Sequence, residues 1–449
     1  MERIILHIDF NSYFASVEQQ ANPFLRGKPI GITGKSQERS VVATASIEAK
    51  ALGVKTAMST WEAKKVCPTI ILWPGDPEKY SDITSRFNRI LSEFTPNVSQ
   101  FSVDESFLDI TDEAEDYFGA TCLAQALRER LREEFGDHIT ASIGIAPNKL
   151  MAKLACESVK PNGLTVVRKD DLIDFIDTRE LDDLCGIGHR IKHRLNALGV
   201  ETFKQLREFP INDLVDEFKS YGTWLHAAAH GHDSSAVVSS TQKGIRTMHS
   251  TGVKSYGHSY TLPQNTHDLL VIKRYLLGLA DKVAWRMRRD KTLARRVSVF
   301  VRFGDFTGHG EQRTFNEPTA NGLKLFQIAW RILSPHLSPH SHPQPTGRAR
   351  DTDIGTTLSR PTSDRSQSSY QGLGSPPNDL VRLVGLSTSL LSSGPEQPPL
   401  FKKDRKMISV FSSLDKLQHR YGPGVWQRAS TMPIEFKSRS SGFNYDHEV

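Results

Sequence analysis

Apolar and polar residues alternate in short blocks through the first 166 residues, and the period of the blocks keeps changing. The run Arg3-Ile4-Ile5-Leu6-His7-Ile8-Asp9 is apolar and ends in an acid, which predicts a buried strand with Asp9 at its C-terminal end. Residues 12–20 take a helical period and stop at Asn22-Pro23. Between 28 and 75, β-rich runs (Pro29 to Thr33, Ser40 to Thr44) alternate with a helix around Thr60–Lys65, and Pro74-Gly75 closes the stretch. A helix near 78–94, a strand pair around 98–110, an amphipathic helix over 121–135, a strand from Ile139 to Ile145 and a helix from Asn148 to Glu157 follow. This alternation predicts an α/β sheet domain with helices on one face.

The pattern then changes. Residues 170–232 read as short helices broken by glycines. Beyond 245, Gly252 to Tyr260 and Arg295 to Phe303 read as strands, and 266–289 and 321–333 as helices. Residues 334–379 are rich in Ser, Pro, Thr, Gly and His without periodicity, which predicts a disordered insertion. Order is expected to return at Asp379 to Leu386 as a strand, and about 413–421 as a short basic helix.

A length of 449 residues suggests two to four domains. No apolar run approaches the ~18–20 residues of a membrane span, and Met1 to Phe10 reads as a strand rather than a signal peptide. Cys67, Cys122, Cys156 and Cys185 are scattered, which argues against a disulfide scaffold or zinc site and for a reducing compartment. The net charge of +6 is uneven: −8 over 1–242, +9 over 243–330 and +5 over 331–449. An acidic front with a basic segment behind it fits a catalytic part and a part that grips a polyanion, although a solvated basic face fits the same numbers.

Three carboxylates stand where apolar β-runs are interrupted, a costly place for a bare charge: Asp9, Asp104 and Glu105. Neighbours in a straight strand point to opposite faces. Asp104 and Glu105 can therefore share a site only where the backbone turns, as at a hairpin tip. A strand-end acid facing two hairpin acids makes a cage of hard oxygen ligands suited to Mg²⁺. Two such ions ~3.5–4 Å apart stabilise the attacking and leaving oxygens of an in-line phosphoryl displacement.

The residues around these acids carry a resemblance. Ile8-Asp9-Phe10-Asn11-Ser12-Tyr13-Phe14-Ala15-Ser16-Val17-Glu18 resembles the opening motif of Y-family DNA polymerases, and Ser102-Val103-Asp104-Glu105-Ser106-Phe107-Leu108-Asp109 their second catalytic motif. The stretches Ser142 to Lys153 and Lys160-Pro161-Asn162-Gly163 match as well. The likeness covers roughly 1–333 and 379–430, in order and spacing, and is strongest to the DNA polymerase IV branch.

The resemblance implies an α/β (α+β) multidomain, right-handed polymerase. Its ferredoxin-like palm would be 1–11 and 76–166, its small fingers 12–75, and its helical thumb 167–232. An α/β little finger would span 243–392 around the 334–379 insertion, and 393–449 would be a tail. It implies template-directed, low-fidelity addition of dNTPs to a primer 3′ end, with translesion synthesis in damage tolerance. Asp9, Asp104, Glu105 and the Phe10 carbonyl would hold two Mg²⁺ ions, with Mn²⁺ possible in practice. Phe14 would be an aromatic sugar gate that clashes with a 2′-hydroxyl. Tyr13 would lay its backbone and ring edge near the triphosphate, and Thr44, Lys50 and Lys160 would hold the phosphates. Thr33 and Ala43 would roof the nascent base pair with small side chains, leaving room for a distorted template base. The family usually has a tyrosine and an arginine where this chain has Ile47 and Lys50, which loses a hydroxyl and a bidentate fork and predicts weaker nucleotide binding.

Leu184-Cys185-Gly186-Ile187-Gly188-His189-Arg190-Ile191-Lys192 followed by Leu195 to Val200 resembles a helix-hairpin-helix, whose glycines Gly186 and Gly188 would turn backbone N–H groups to a phosphate. Arg286, Arg288, Arg289, Lys291, Arg295 and Arg296 crowd together and predict sequence-independent, salt-dependent contacts with primer–template DNA. Gln397-Pro398-Pro399-Leu400-Phe401 resembles the peptide with which bacterial polymerases dock on the sliding clamp: Gln397 would bond at the mouth of a pocket that Leu400 and Phe401 fill. That implies a bacterial, cytoplasmic setting, and a monomer with no membrane partner is expected. Two other classes compete. A nucleotidyl cyclase also places acids on a ferredoxin-like sheet but leaves the basic segment without a role. A non-catalytic scaffold derived from a polymerase would have lost acids that are present here.

Overall fold

Strand β1 (Ile5–Phe10) is buried along almost its whole length, because the chain covers it from both sides. The computed structural model describes residues 2–34, 40–238, 253–337, 380–393, 402–422, 424–434 and 436. The chain divides into two units, Met1–Ser250 with Ser438–Val449, and Thr251–Lys437.

In the first unit β1 leads into α1 (Tyr13–Ala21), β2 (Ile30–Thr33), β3 (Thr44–Ala45), α2 (Ile47–Ala51), α3 (Thr60–Val66) and β4 (Ile71–Pro74). Then come α4 (Pro77–Phe94), β5 (Val98–Gln100), β6 (Glu105–Asp109), α5 (Thr111–Ala114), α6 (Tyr117–Phe135), β7 (Ala141–Ala146), α7 (Lys149–Ser158) and β8 (Leu164–Val166). Its sheet runs β5-β6-β1-β7-β8, antiparallel except for the last pair. Without β8, the elements β1, α4, β5, β6, α6 and β7 make a βαββαβ unit in the ferredoxin-like strand order. The residues between β1 and α4 hold a separate sheet, β3-β2-β4.

Ile4, just before β1, and the even positions of the strand (Leu6, Ile8, Phe10) pack with Phe87, Ile90 and Leu91 of α4 and Leu127 and Leu131 of α6. Ile5 on the odd face joins a second core with Phe107 and with Met151 and Ala155 of α7. Helices therefore lie on both faces, not on one as the alternation suggested. Helix α7 packs on the odd face, over β1, β7 and β8. Each fully buried leucine or phenylalanine contributes roughly 1.5–3 kcal/mol of transfer free energy.

Short helices α8 (Leu172–Asp177), α9 (His189–Ala197), α10 (Phe203–Glu208), α11 (Ile211–Phe218) and α12 (Ser220–Ala229) complete the unit. They share the core of α7 through Leu195, Phe203, Leu206 and Leu225.

The second unit is β9 (Ser255–Thr266), α13 (Leu269–Arg289), β10 (Thr292–Phe303), β11 (Gly308–Thr319), α14 (Gly322–Leu333), β12 (Val381–Ser393) and α15 (Lys402–Tyr421). Its antiparallel sheet runs β11-β10-β12-β9, with α13 and α14 packed on one face through Leu276, Val283, Leu325 and Ala329. Strand β11 escaped the sequence pattern because it is an exposed edge strand with almost no apolar alternation. Four residues expected to be irregular, Ser334–Leu337, form a 3-10 turn after α14, with Leu337 buried. The rest of the expected insertion, 338–379, lies outside the described residues. The last helix runs over 20 residues rather than 413–421 alone. No helix among the described residues is long and apolar enough to cross a membrane.

Candidate active site

Register decides which acids meet. Asp9 pairs with Glu105 across β1 and β6, so both side chains rise from the same face, the one α7 covers. Asp104 precedes the strand. The turn at 101–104 is closed by the Phe101 and Ser102 N–H groups, which both donate to the Glu105 carbonyl. The Phe10 N–H donates to the Asp104 carbonyl at 3.0 Å, which pins the turn to the end of β1. The hairpin tip thus lets neighbouring acids serve one site.

Asp9 is half-buried and repelled by Asp104. Burial, with that repulsion, pushes its carboxyl up to about 7 although Lys160 pulls the other way. Burial likewise raises Asp104, against a 2.5 Å hydrogen bond from the Ser102 hydroxyl. Glu105 behaves oppositely. Burial alone would raise it, but hydrogen bonds from His7 (3.1 Å) and Lys153 bring it down to about 2. Lys160 Nζ donates to Asp9 Oδ1 at 3.0 Å and to Glu157 Oε1 at 2.8 Å. Burial would lower this ammonium, but the two carboxylates hold it well above its ordinary value. Two half-buried carboxylates that one lysine does not neutralise are a donor set that fits a hard divalent cation. Glu105 would join such a set by trading its bonds to Lys153 and His7.

The site is supported by residues the sequence pattern did not single out. Asn11 donates from Nδ2 to Ser142 Oγ (2.9 Å), while its Oδ1 accepts from Thr140 Oγ1 (3.0 Å) and the Asn162 N–H (2.7 Å). This ties the end of β1 to the loop that carries Lys160. His7, Lys153 and Glu157 orient Glu105 and Lys160. The spacing of Lys153, Glu157 and Lys160, four and three residues apart at the end of α7, was the available signal.

The other expected residues divide. The ring of Phe14 stacks on Tyr80 with centroids 4.4 Å apart and 11° between planes. Tyr13 is a correction: its ring is buried and its hydroxyl donates to the Tyr80 carbonyl (2.7 Å), with Thr84 Oγ1 at 3.0 Å. Only its backbone remains for a triphosphate, because the ring is core. Next to it, Ser12 Oγ is buried with no hydrogen-bond partner. Thr33 is a second correction. It is fully buried and its hydroxyl donates to the Gly34 carbonyl (3.2 Å), so it presents no surface to a base pair, whereas Ala43 is partly exposed. Thr44 is partly buried on β3. Ile47 begins α2 and is exposed. Lys50 is an exposed residue whose ammonium is lowered by partial desolvation and by Lys160, while the Asp9, Glu157 and Asp104 carboxylates act on it in the opposite direction.

Gly186 has φ +114, a conformation that favours glycine, and a Cβ there would meet Trp224 at 2.5 Å. Gly188 is the N-cap of α9. Among the arginines, Arg288 has a structural role, since it binds Asp415 at 2.7 and 2.8 Å and donates to the Ala320 carbonyl. Its guanidinium is therefore engaged by α15 rather than presented to a polyanion. Arg289 lies against Asp290 (3.0 Å), and Arg286 donates to the Gly257 carbonyl (3.3 Å). Arg295 is exposed at the bulge of β10, and Arg296 donates to Thr314 Oγ1 (3.2 Å). Gln397, Leu400 and Phe401 lie outside the described residues.

Family models match three stretches. The impB/mucB/samB family model matches residues 8–157, and the C-terminal domain of the same family 253–400. The thumb domain described for DNA polymerase-iota matches 182–233. The DNA polymerase IV of Moorella thermoacetica is 33% identical, covering 95% of this chain and 96% of the relative. That of Pelotomaculum thermopropionicum is 31% identical over 99% of each. Among solved structures, a Y-family DNA polymerase chimera superposes with a TM-score of 0.69 at 25% identity, covering 87% of this chain and all of the other. An insertion ternary complex of Dbh DNA polymerase gives 0.55 at 24% identity, with the same coverage, a likeness of fold.

Proposed function

This chain belongs to the impB/mucB/samB family of Y-family DNA polymerases, and from that premise we propose that it extends a primer 3′ end with dNTPs by two-metal nucleotidyl transfer, tolerating damaged template bases. It is a DNA-directed DNA polymerase. The observation that carries the mechanism is the convergence of Asp9 and Asp104 on one strand-and-hairpin edge, both raised by burial, with Lys50 and Lys160 beside them.

Asp9, Asp104 and Glu105, with the Phe10 carbonyl, are the residues we assign to two divalent cations, which when bound supply positive charge to the attacking and leaving oxygens. Mg²⁺ is the ion these oxygen donors suit best. Lys160 and Lys50 hold the triphosphate as point charges, and Lys160 can move from Asp9 to a phosphate when the acids gain other partners. Phe14, fixed by Tyr80, excludes a ribose 2′-hydroxyl. Ala43 alone of the two expected roof residues lies over the base pair. Ile47 and Lys50 weaken nucleotide binding relative to a Tyr and Arg pair; an I47Y/K50R variant is expected to lower KM.

We assign the palm to 1–11 and 76–166, the fingers to 12–75, the thumb to 167–232 and the little finger to 243–392, with the DNA backbone gripped by Arg295, Arg296 and the Gly186–Gly188 turn. Gln397, Leu400 and Phe401 are proposed to dock on a bacterial sliding clamp in the cytoplasm.

Primer extension on a short primed template with Mg²⁺ tests the reading, run with dNTPs and rNTPs separately beside a D104A/E105A variant. Extension with dNTPs alone, lost in the variant, is expected. DNA binding without extension by the wild-type chain would instead favour a non-catalytic scaffold.

A further inference from the structure

At the exposed edge of the second unit, three side chains converge that have no part in the polymerase reading. His309 and Glu311 stand two residues apart on β11 and so face the same side of the sheet. His336 comes from the 3-10 turn after α14, held there by the burial of Leu337. One ligand atom from each lies within 4.8 Å of the others. His336 Nε2 is 3.1 Å from Glu311 Oε2, and His309 Nε2 is 4.0 Å from the same oxygen. The two imidazoles stack with centroids 3.9 Å apart.

The informative atom is His309 Nε2. It is buried and has no hydrogen-bond partner. At 4.0 Å it is too far from Glu311 to make one. A buried ring nitrogen left unsatisfied is costly, and the cost disappears if a cation sits between the nitrogen and the carboxylate. Around a tetrahedral ion with bonds of ~2.0–2.1 Å, neighbouring ligand atoms lie about 3.3 Å apart. The 3.1 and 4.0 Å separations bracket that value.

We propose that His309, Glu311 and His336 bind one divalent transition-metal ion of the zinc class, which staples edge strand β11 to the turn that follows α14. Two imidazole nitrogens and one carboxylate suit Zn²⁺, Ni²⁺ or Cu²⁺ and not Mg²⁺, which takes oxygen ligands. Three protein ligands leave a fourth position for water. The site is separate from the acid cluster of the first unit and does not depend on the reading of that cluster.

The test uses the full-length chain, stripped with a chelator and held in excess Mg²⁺ so that the oxygen sites are saturated. Zn²⁺ is titrated against a chromophoric chelator, and Co²⁺ is added in parallel for its visible absorption. The wild type is expected to bind one equivalent that H309Q and H336Q each weaken 10-fold or more, with loss of the Co²⁺ band. Zn²⁺ is also expected to raise the unfolding temperature of the wild type and not of the variants. H336Q lies in a partly exposed turn, and a metal-free melting temperature equal to the wild type's establishes that it folds. Equal Zn²⁺ affinity and stoichiometry in the wild type and both variants would overturn the proposal, because any zinc then sits on other histidines or cysteines. No zinc binding by the wild type would overturn it as well.

Discussion

A buried carboxylate has to find donors within the fold, and Glu18 finds two. Lys79 Nζ lies 3.0 Å away and the Tyr80 hydroxyl donates at 2.8 Å. That hydroxyl fixes the ring on which Phe14 stacks, so Glu18 and Tyr80 are positioning residues for the proposed sugar gate. Removing the hydroxyl in Y80F leaves a buried acceptor short of a donor, expected to cost about 1–3 kcal/mol in urea unfolding. The same variant is expected to incorporate rNTPs more readily relative to dNTPs. A stability loss with an unchanged rNTP/dNTP ratio would assign Tyr80 to the core alone. His258 carries a pH dependence. Burial, reinforced by Lys282 and Arg286, lowers its imidazole to about 4. A depressed histidine pKa contributes stability that is present above the unfolded value near 6.5 and is lost as pH falls toward 4. Through that window the chain is expected to lose stability by up to about 1.4 kcal/mol per pH unit from this group, and H258Q to lose less. Parallel wild-type and H258Q stability profiles would remove the idea.

At the scale of elements, α15 packs through Phe411 and its ionic neighbours. Phe411 is buried between the guanidinium groups of Arg288 and Arg428, at 5.0 and 5.6 Å from its centroid. Arg288 reaches on to Asp415 of the helix, and Arg428 to Asp281 of α13 at 2.6 and 2.9 Å. Truncating the ring forfeits burial and both cation–π contacts, so F411A is expected to destabilise this unit by about 3–5 kcal/mol. D415N, which keeps shape and removes charge, is expected to cost about 1–3 kcal/mol. Denaturant unfolding followed by a probe in the second unit reads both. Equal stability of D415N and wild type would leave Phe411 as the anchor. Element lengths followed local composition where apolar positions recur, as in α4 and α13. They failed where they do not: β11 is polar along its edge, and β8 and α2 are too short to show a period.

For the whole molecule, the charge distribution predicts how DNA affinity depends on salt. The acidic front and the +9 stretch over 243–330 place the excess cations in the second unit. Each phosphate neutralised lowers the slope of log K against log salt by about 0.9. R295A/R296A is therefore expected to flatten that slope by roughly 2 and weaken binding to all sequences alike. R288A is expected to leave the slope unchanged, because that guanidinium already neutralises Asp415. A wild-type slope in R295A/R296A would move the grip elsewhere in the chain.

Local sequence was sufficient to propose a chemistry. An apolar run closed by Asp9, and an acid pair at a predicted hairpin, single out the proposed metal-binding positions, because a bare charge inside a β-run is costly. It was sufficient too for most of the order of elements, since helix and strand periods are local, although the polar β11 was missed. It left Tyr13 and Thr33 misplaced, because a side chain's direction depends on what packs around it, and both turn into the core. Strand order was beyond it altogether. Both units contain a strand, helix, strand, strand, helix, strand series, yet one folds as β5-β6-β1-β7 and the other as β11-β10-β12-β9. The pairing of β1 with β6 and β7, and of β12 with β9 and β10, joins residues far apart in the chain. Only packing of the whole sheet against its helices selects among such pairings, and that selection brings Glu105 opposite Asp9.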